Sequence, residues 1–331
     1  MAKRIAINGF GRIGRLTFRQ LYKMPDVVIV GINDLTDPAT LAHLLKYDSA
    51  HGIFEPEIRI DGDTLLIEDE QITISALKTP QDLWKGLEVD TVLECTGRFV
   101  TKELASGHVR PDGAKRVIIS APGKGSDPIP TIVLGINDDQ IDSEAPVLSN
   151  ASCSTNCLAP LVKVLDDNFG LKSGAMSTIH AYTADQRLQD APHKDLRRAR
   201  AAMNIIPTST GAADTLKYVL PSIGNKLSAI AYRVPVITGS MMEVNAILEK
   251  TPDIREVNDA FLAASKEEKL KGILSYCTDP IVSTDIVGNT HSCVFDSLLT
   301  NVNEGMVSVV GWYDNESAYA RRLAELAARI T

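Results

Sequence analysis

Arg4-Ile5-Ala6-Ile7-Asn8-Gly9-Phe10-Gly11-Arg12-Ile13-Gly14 opens this chain and decides how the rest is read. Arg4 to Asn8 is a β-branched run suited to a strand, and Ile13 to Lys23 carries apolar residues at helical spacing. Between them the glycines sit as Gly-x-Gly-x-x-Gly. The first permits a tight strand-to-helix turn, the second lets backbone approach a pyrophosphate, and the third allows close helix–sheet packing. Amides at the helix start, those of Arg12 and Ile13 among them, would then face an anion. Asp34 lies 20 residues beyond Gly14, at the end of the next strand candidate, Val27 to Asn33. A carboxylate there can hold ribose hydroxyls and repel a 2′-phosphate. Asp34, Thr36 and Asp37 are equally suited to capping the following helix.

Working outward, further apolar runs at Thr91–Cys95, Arg116–Ser120 and Thr131–Gly135 alternate with helical stretches. Such a pattern predicts a parallel sheet covered on both faces. Asp61-Gly62-Asp63, between alternating runs, predicts an inserted hairpin. After about residue 150 the texture changes. Longer alternating strands are expected at Ala229–Val236, Glu243–Leu248 and Met306–Trp312, and a polar arm runs from Tyr182 to Thr210. The fold class is therefore α/β: a Rossmann-type parallel-sheet domain over 1–150, then an α+β domain with a mainly antiparallel sheet over 151–315. The amphipathic end, 316–331, is expected to pack back on the first domain.

Composition limits the partners. The 331 residues are 44% hydrophobic, enough for two cores of ordinary size. A net charge of −8 and a pI near 5.3 supply no field to draw in nucleic acid or an anionic membrane. No run is long and apolar enough to span a bilayer. Five cysteines without a paired framework suit a reducing compartment, and the expected location is the cytoplasm.

The second decisive stretch is Asn150-Ala151-Ser152-Cys153-Ser154-Thr155-Asn156-Cys157, with His180 27 residues beyond Cys153. Leu158, Leu161, Val162 and Leu165 follow at helical spacing, placing Cys153 where a helix's positive end lowers a thiol's pKa. Pro160 argues that the regular helix starts near Asn156 or that its first turns are bent. Cys157, one turn on, reads as a small buried hydrophobe. Two cysteines four apart without a second Cys/His pair make poor zinc spacing, so no metal is expected. Spacing alone cannot set His180 beside Cys153.

These residues resemble the phosphorylating glyceraldehyde-3-phosphate dehydrogenase family almost end to end. The carriers are Ile7–Arg15, Lys46-Tyr47-Asp48-Ser49-Ala50-His51-Gly52, Ser149–Pro160, His180-Ala181-Tyr182-Thr183 and Tyr313-Asp314-Asn315-Glu316. The resemblance implies that Cys153 thiolate attacks an aldehyde to give a hemithioacetal, that His180 stabilises that thiolate and accepts the hydroxyl proton, and that phosphate splits the resulting thioester. It also implies a substrate-phosphate site at Thr183, Asp185 and Arg233, with Arg198 between pockets. An attacking-phosphate site would lie at Ser152, Ser154, Thr210 and Gly211, and Asn315 would meet the nicotinamide amide. NAD is the implied cofactor, although Ala191 before Pro192 leaves NADP use open. The partners implied are a small substrate, inorganic phosphate and three further copies of the chain in a homotetramer. Arg197 and Arg200 read equally as a solvated or subunit-contacting basic face. Two alternatives stand beside this: erythrose-4-phosphate dehydrogenase, and a non-catalytic thiol sensor or RNA-binding protein. The chain departs from the family at Ser154 (usually Thr), at Val236–Val244 and at Ser317-Ala318. The last two are expected to lie at sheet and subunit contacts and to bear on assembly and stability more than on chemistry.

Overall fold

In the computed structural model, which describes residues 2–330, the chain forms two compact units. The first holds residues up to Ile132, Asp139–Ala151 and the segment from Ala320 on. Its sheet has eight strands, ordered Val147–Ser149, Ala114–Ile119, Val89–Glu94, Lys3–Asn8, Val27–Asn33, Glu70–Ser75, Thr64–Ile67 and Ile58–Asp61. The first six run parallel and the last two add an antiparallel hairpin. Gly62, at φ +56°, turns that hairpin where Asp61-Gly62-Asp63 predicts it. The parallel strands are near-continuous apolar runs because helices and loops cover both faces. Ala6, Val30, Val92, Val117 and Trp84 share one buried cluster.

Lys3–Asn8 lies between Val27–Asn33 and Val89–Glu94, so the strand order reverses at its carboxyl end. Ligand crevices of doubly wound sheets form at that point.

The second unit holds Val133–Asp138 and Ser152–Tyr319. Its eight-stranded sheet is mainly antiparallel, as expected, around Leu171–Ala181, Ser240–Leu248 and Met306–Tyr313. Two pairings are parallel: Leu171–Ala181 with Leu227–Val234, and Leu274–Cys277 with Cys293–Asp296. The helix Cys153–Phe169 packs on this sheet. Gly311 makes its approach possible, since a Cβ there would lie 2.6 Å from Cys293 Sγ and 3.0 Å from Leu161 Cδ1.

Two expectations are corrected. Thr131–Gly135 is not a strand; only Thr131 bridges to Ser149. The run is buried, but Asn137 Oδ1 takes the Val133 amide and Gly135 turns the chain at φ +84°. The helix begins at Cys153, not near Asn156, and continues through Pro160. Ser152 makes that start possible by capping it, its Oγ accepting from Thr155 N at 3.1 Å.

No described helix is long and apolar enough to cross a membrane.

Candidate active site

Two sites are built separately, one in each unit. In the first, the turn after Lys3–Asn8 is fixed by steric demand. A Cβ on Gly9 (φ +92°) would lie 2.7 Å from Thr96 N, and one on Gly14 would lie 2.2 Å from Gly9 O. Gly11 differs, with open space where its side chain would be. It begins the helix Arg12–Leu21, and no side chain caps that end. Uncapped amides above an open glycine form a cradle for an anion. The adjoining pocket, about 270 Å³, is lined by Asn8, Gly9, Gly11, Asn33, Asp34 and Thr96 among others. These features fit a dinucleotide.

Asp34 accepts from Phe10 N at 2.8 Å and Thr36 N at 3.0 Å, tying the glycine turn to the second strand. The capping alternative for Asp34 is therefore corrected. Asp37 caps the helix Pro38–Lys46 instead, accepting from Thr40 N at 2.9 Å. Arg12 reaches away from the turn to Asp48 Oδ2 at 2.6 Å. Against the effect of burial, the His51 ring and amide, then the Arg12 guanidinium and the Ala50 amide, hold the Asp48 carboxyl well below the usual range.

In the second unit the fold brings Cys153 and His180 together, Sγ to Nε2 at 3.4 Å. Ala151, in left-handed backbone at φ +56°, turns the chain just before Ser152 and Cys153 start their helix. His180 comes from the strand Leu171–Ala181 and is 2% exposed. Its neighbour on the parallel strand is Arg233. The Ala181 carbonyl lies 2.7 Å from the ring Nδ1 and accepts from Arg233 Nη1 at 3.0 Å. A ring protonated at Nδ1 presents the Nε2 lone pair to the thiol. Arg233 Nη1 also crowds Nδ1 at 2.5 Å. Burial, and after it the Arg233 charge, lowers His180 to about 3. Burial pushes the Cys153 thiol up, while Arg233 acts most strongly against that. His180 is thus held neutral, and the cation that favours a thiolate is Arg233.

Tyr313 and Thr178, absent from the sequence-derived site residues, complete the setting. Tyr313 Oη lies 2.9 Å from Ser154 Oγ and 2.8 Å from Thr178 Oγ1. Its ring stands edge-on to His180 at 5.8 Å. Ser154 is therefore buried and paired rather than open to solvent. Tyr313 heads the Tyr-Asp-Asn-Glu motif, which was the available signal. Thr178, an ordinary strand residue, offered none.

The other expected residues fall into small groups. Arg198 Nη1 pairs with Asp185 Oδ2 at 2.7 Å, and its Nε and Nη2 reach Thr208 Oγ1 at 2.9 and 2.6 Å. Thr183 N and Oγ1 both donate to Gln186 Oε1, and Gln186 Nε2 donates to Asp185. Thr210 accepts from Ala212 N at 3.3 Å, and Gly211 starts the helix Ala212–Val219. Arg197 and Arg200 are exposed.

Asn315 is buried, not a plain loop residue. Ser240 Oγ accepts from Ala181 N at 3.2 Å and donates to Asn315 Oδ1 at 2.8 Å. Thr238 likewise donates to Asp314 at 2.8 Å. Within the departure at Val236–Val244, Ser240 thus bonds to both Asn315 and the His180 strand, a sheet contact of the kind expected there.

Residues 3–102 match the family described as "Glyceraldehyde 3-phosphate dehydrogenase, NAD binding domain", and residues 152–315 match its C-terminal domain. Relatives named glyceraldehyde-3-phosphate dehydrogenase align along both full chains. That of Geobacillus stearothermophilus is 52% identical over 100% of this chain and 98% of its own. That of Mycobacterium avium is 50% identical over 100% and 99%, and that of Streptomyces coelicolor 51% over 98% and 98%. The fold and the NAD-binding-domain match together define a nicotinamide-nucleotide oxidoreductase. The chain belongs to the glyceraldehyde-3-phosphate dehydrogenase family.

Proposed function

We propose that this protein oxidises glyceraldehyde 3-phosphate with NAD and inorganic phosphate, giving 1,3-bisphosphoglycerate. The observation that carries the reading is Cys153 Sγ, at a capped helix start, 3.4 Å from the neutral ring of His180 with Arg233 behind it. Cys153 thiolate adds to the aldehyde carbon, and the alkoxide formed takes a proton from solvent to become a hemithioacetal. His180 Nε2 removes that hydroxyl proton as the carbon gives up hydride. Bound NAD supplies the hydride acceptor. A phosphate oxygen then attacks the thioester carbon, the C–S bond breaks, and the acyl phosphate leaves with the thiolate restored.

Arg198 and Arg233, with the hydroxyls of Thr183 and Thr210 and the helix start at Gly211, supply donors for two phosphate groups. The Cys153 amide, from the first turn of its helix, steadies the oxyanion. Gly9, Gly11, Gly14, Arg12, Ile13 and Asp34 form the dinucleotide site, and the family resemblance assigns Asn315 to the nicotinamide amide. Cofactor binding belongs to residues 1–150 and catalysis to 151–315. The arm from Tyr182 to Thr210 exposes Leu188, Leu196, Met203 and Ile205, at 71%, 79%, 91% and 71%. Apolar surface of that kind supports self-association, and we assign the arm to homotetramer contacts in a cytoplasmic enzyme.

Erythrose 4-phosphate is the less favoured substrate, since the aligned relatives carry the triose name. Steady-state kinetics with both aldehydes, with and without phosphate, test this. Higher kcat/KM on glyceraldehyde 3-phosphate and strict dependence on phosphate are expected; preference for the tetrose would reverse the assignment. A retired thiol sensor or RNA binder would show no turnover at all.

A further inference from the structure

We infer that Glu94 is a positioning residue for the dinucleotide, holding the floor of the Gly9 pocket through Asn8 and Thr96. This rests on the reading that NAD occupies that pocket. Glu94 ends the strand Val89–Glu94 and is 1% exposed. Its Oε2 accepts from Asn8 Nδ2 at 2.5 Å and His108 Nε2 at 3.1 Å. Its Oε1 accepts from Thr96 N at 2.8 Å and from the Thr96 hydroxyl.

Both flanks of this cluster are fixed in direction. His108 is fully buried, and its Nδ1 faces Trp84 Nε1 at 2.9 Å. An indole N–H only donates, so the imidazole proton must sit on Nε2, aimed at Glu94. On the other flank, Asn33 Nδ2 donates to Asn8 Oδ1 at 2.8 Å, which commits the Asn8 amide nitrogen to Glu94. Four donors therefore converge on one carboxylate, and none of them is a cation. A buried network so fully satisfied tolerates no reversal of any member.

Its consequence falls on the pocket. Asn8 and Thr96 both line it, and Gly9 follows Asn8 with its α-carbon against the Thr96 backbone. The spacing between the two strand ends is thus set by Glu94 bonding to both. Glu94→Gln keeps the volume but brings an NH2 against either the Thr96 amide or the Asn8 and His108 N–H groups. Asn33 and Trp84 prevent those partners from turning. The strand ends must separate, and the cofactor loses its fit.

The test is calorimetric NAD binding to the full-length protein, paired with steady-state kinetics. Glu94→Gln should raise the NAD Kd and KM about 10-fold or more, with kcat and the aldehyde and phosphate KM values changed less than about twofold. His108→Phe removes one donor while leaving every pocket-lining residue unsubstituted, and should shift NAD binding in the same direction. His108→Gln, which keeps a donor and an acceptor, should recover part of the loss. A folded Glu94→Gln or His108→Phe protein with unchanged NAD affinity would overturn the inference. So would equal loss in kcat and every KM, or failure of both variants to fold, since the network would then serve the fold alone. Wild-type protein that binds no NAD would instead sink the reading of the pocket itself.

Discussion

At Cys153 the chemistry depends on which neighbour carries charge. His180 is buried and neutral, so the thiolate is favoured by Arg233 and the helix start rather than by an imidazolium. Arg233→Met should therefore move the pH midpoint of Cys153 alkylation upward; an unmoved midpoint would leave the guanidinium without electrostatic effect on the thiol. His180→Asn removes the proposed base and should lower kcat by about 10²–10⁴-fold, read in single-turnover hydride transfer. The same histidine links stability to pH. Its folded value, about 3, lies below the ordinary 6.5, so its contribution is complete above 6.5. As pH falls from 6.5 toward 3 the unfolded chain takes up a proton that the native protein does not, and stability declines. Its slope is up to about 1.4 kcal/mol per pH unit. Urea titrations of His180→Asn should show a shallower acid decline than wild type, whereas identical profiles would contradict a buried neutral ring. Sequence alone named Cys153 and His180 but could not join them, because their meeting depends on a strand lying beside a helix start. Arg233 reaches His180 for a similar reason: the two are cross-strand neighbours 53 residues apart.

At the scale of elements, the helix Cys153–Phe169 has two tasks, presenting the thiol and sealing the sheet. Gly311 allows the second. Gly311→Ala would press a methyl toward Cys293 Sγ, with Cys157 Sγ and Leu161 close by, and should destabilise the protein by about 1–3 kcal/mol in denaturant melts. Unchanged stability would mean that the helix gives way easily. Strands that are long, apolar and flanked by glycine were legible from residue pattern, and Val27–Asn33 coincides with its expected bounds. Thr131–Gly135 misled because buried irregular chain carries the same apolar composition as a central strand. Its interruption comes from Asn137 and Gly135, whose effect is local hydrogen bonding and backbone sign, not hydropathy. The short strand Val147–Ser149 was missed for the opposite reason, having three residues and no period. Pro160 likewise suggested a late helix start or bent first turns; the start is at Cys153, where Ser152 caps it.

For the whole molecule, the change in texture near residue 150 marks the passage between two ways of building a sheet: parallel runs buried on both faces, then alternating antiparallel strands. What single-chain patterning does not show is why the polar arm leaves Leu196 and Met203 in water. We predict that Leu196→Glu with Met203→Glu shifts the protein from tetramer toward smaller species in sedimentation velocity; a wild-type monomer would contradict the assembly. Cofactor choice also belongs to this scale. Asp34→Ala should raise kcat/KM for NADP relative to NAD, and unaltered selectivity would remove Asp34 from the ribose site. The most direct test of the account is mass spectrometry of the intact protein mixed with glyceraldehyde 3-phosphate and NAD, without phosphate. The account predicts an acyl adduct on Cys153 that forms with hydride transfer and disappears when phosphate is added. Turnover without that adduct, or an acyl group carried by another residue, would contradict it.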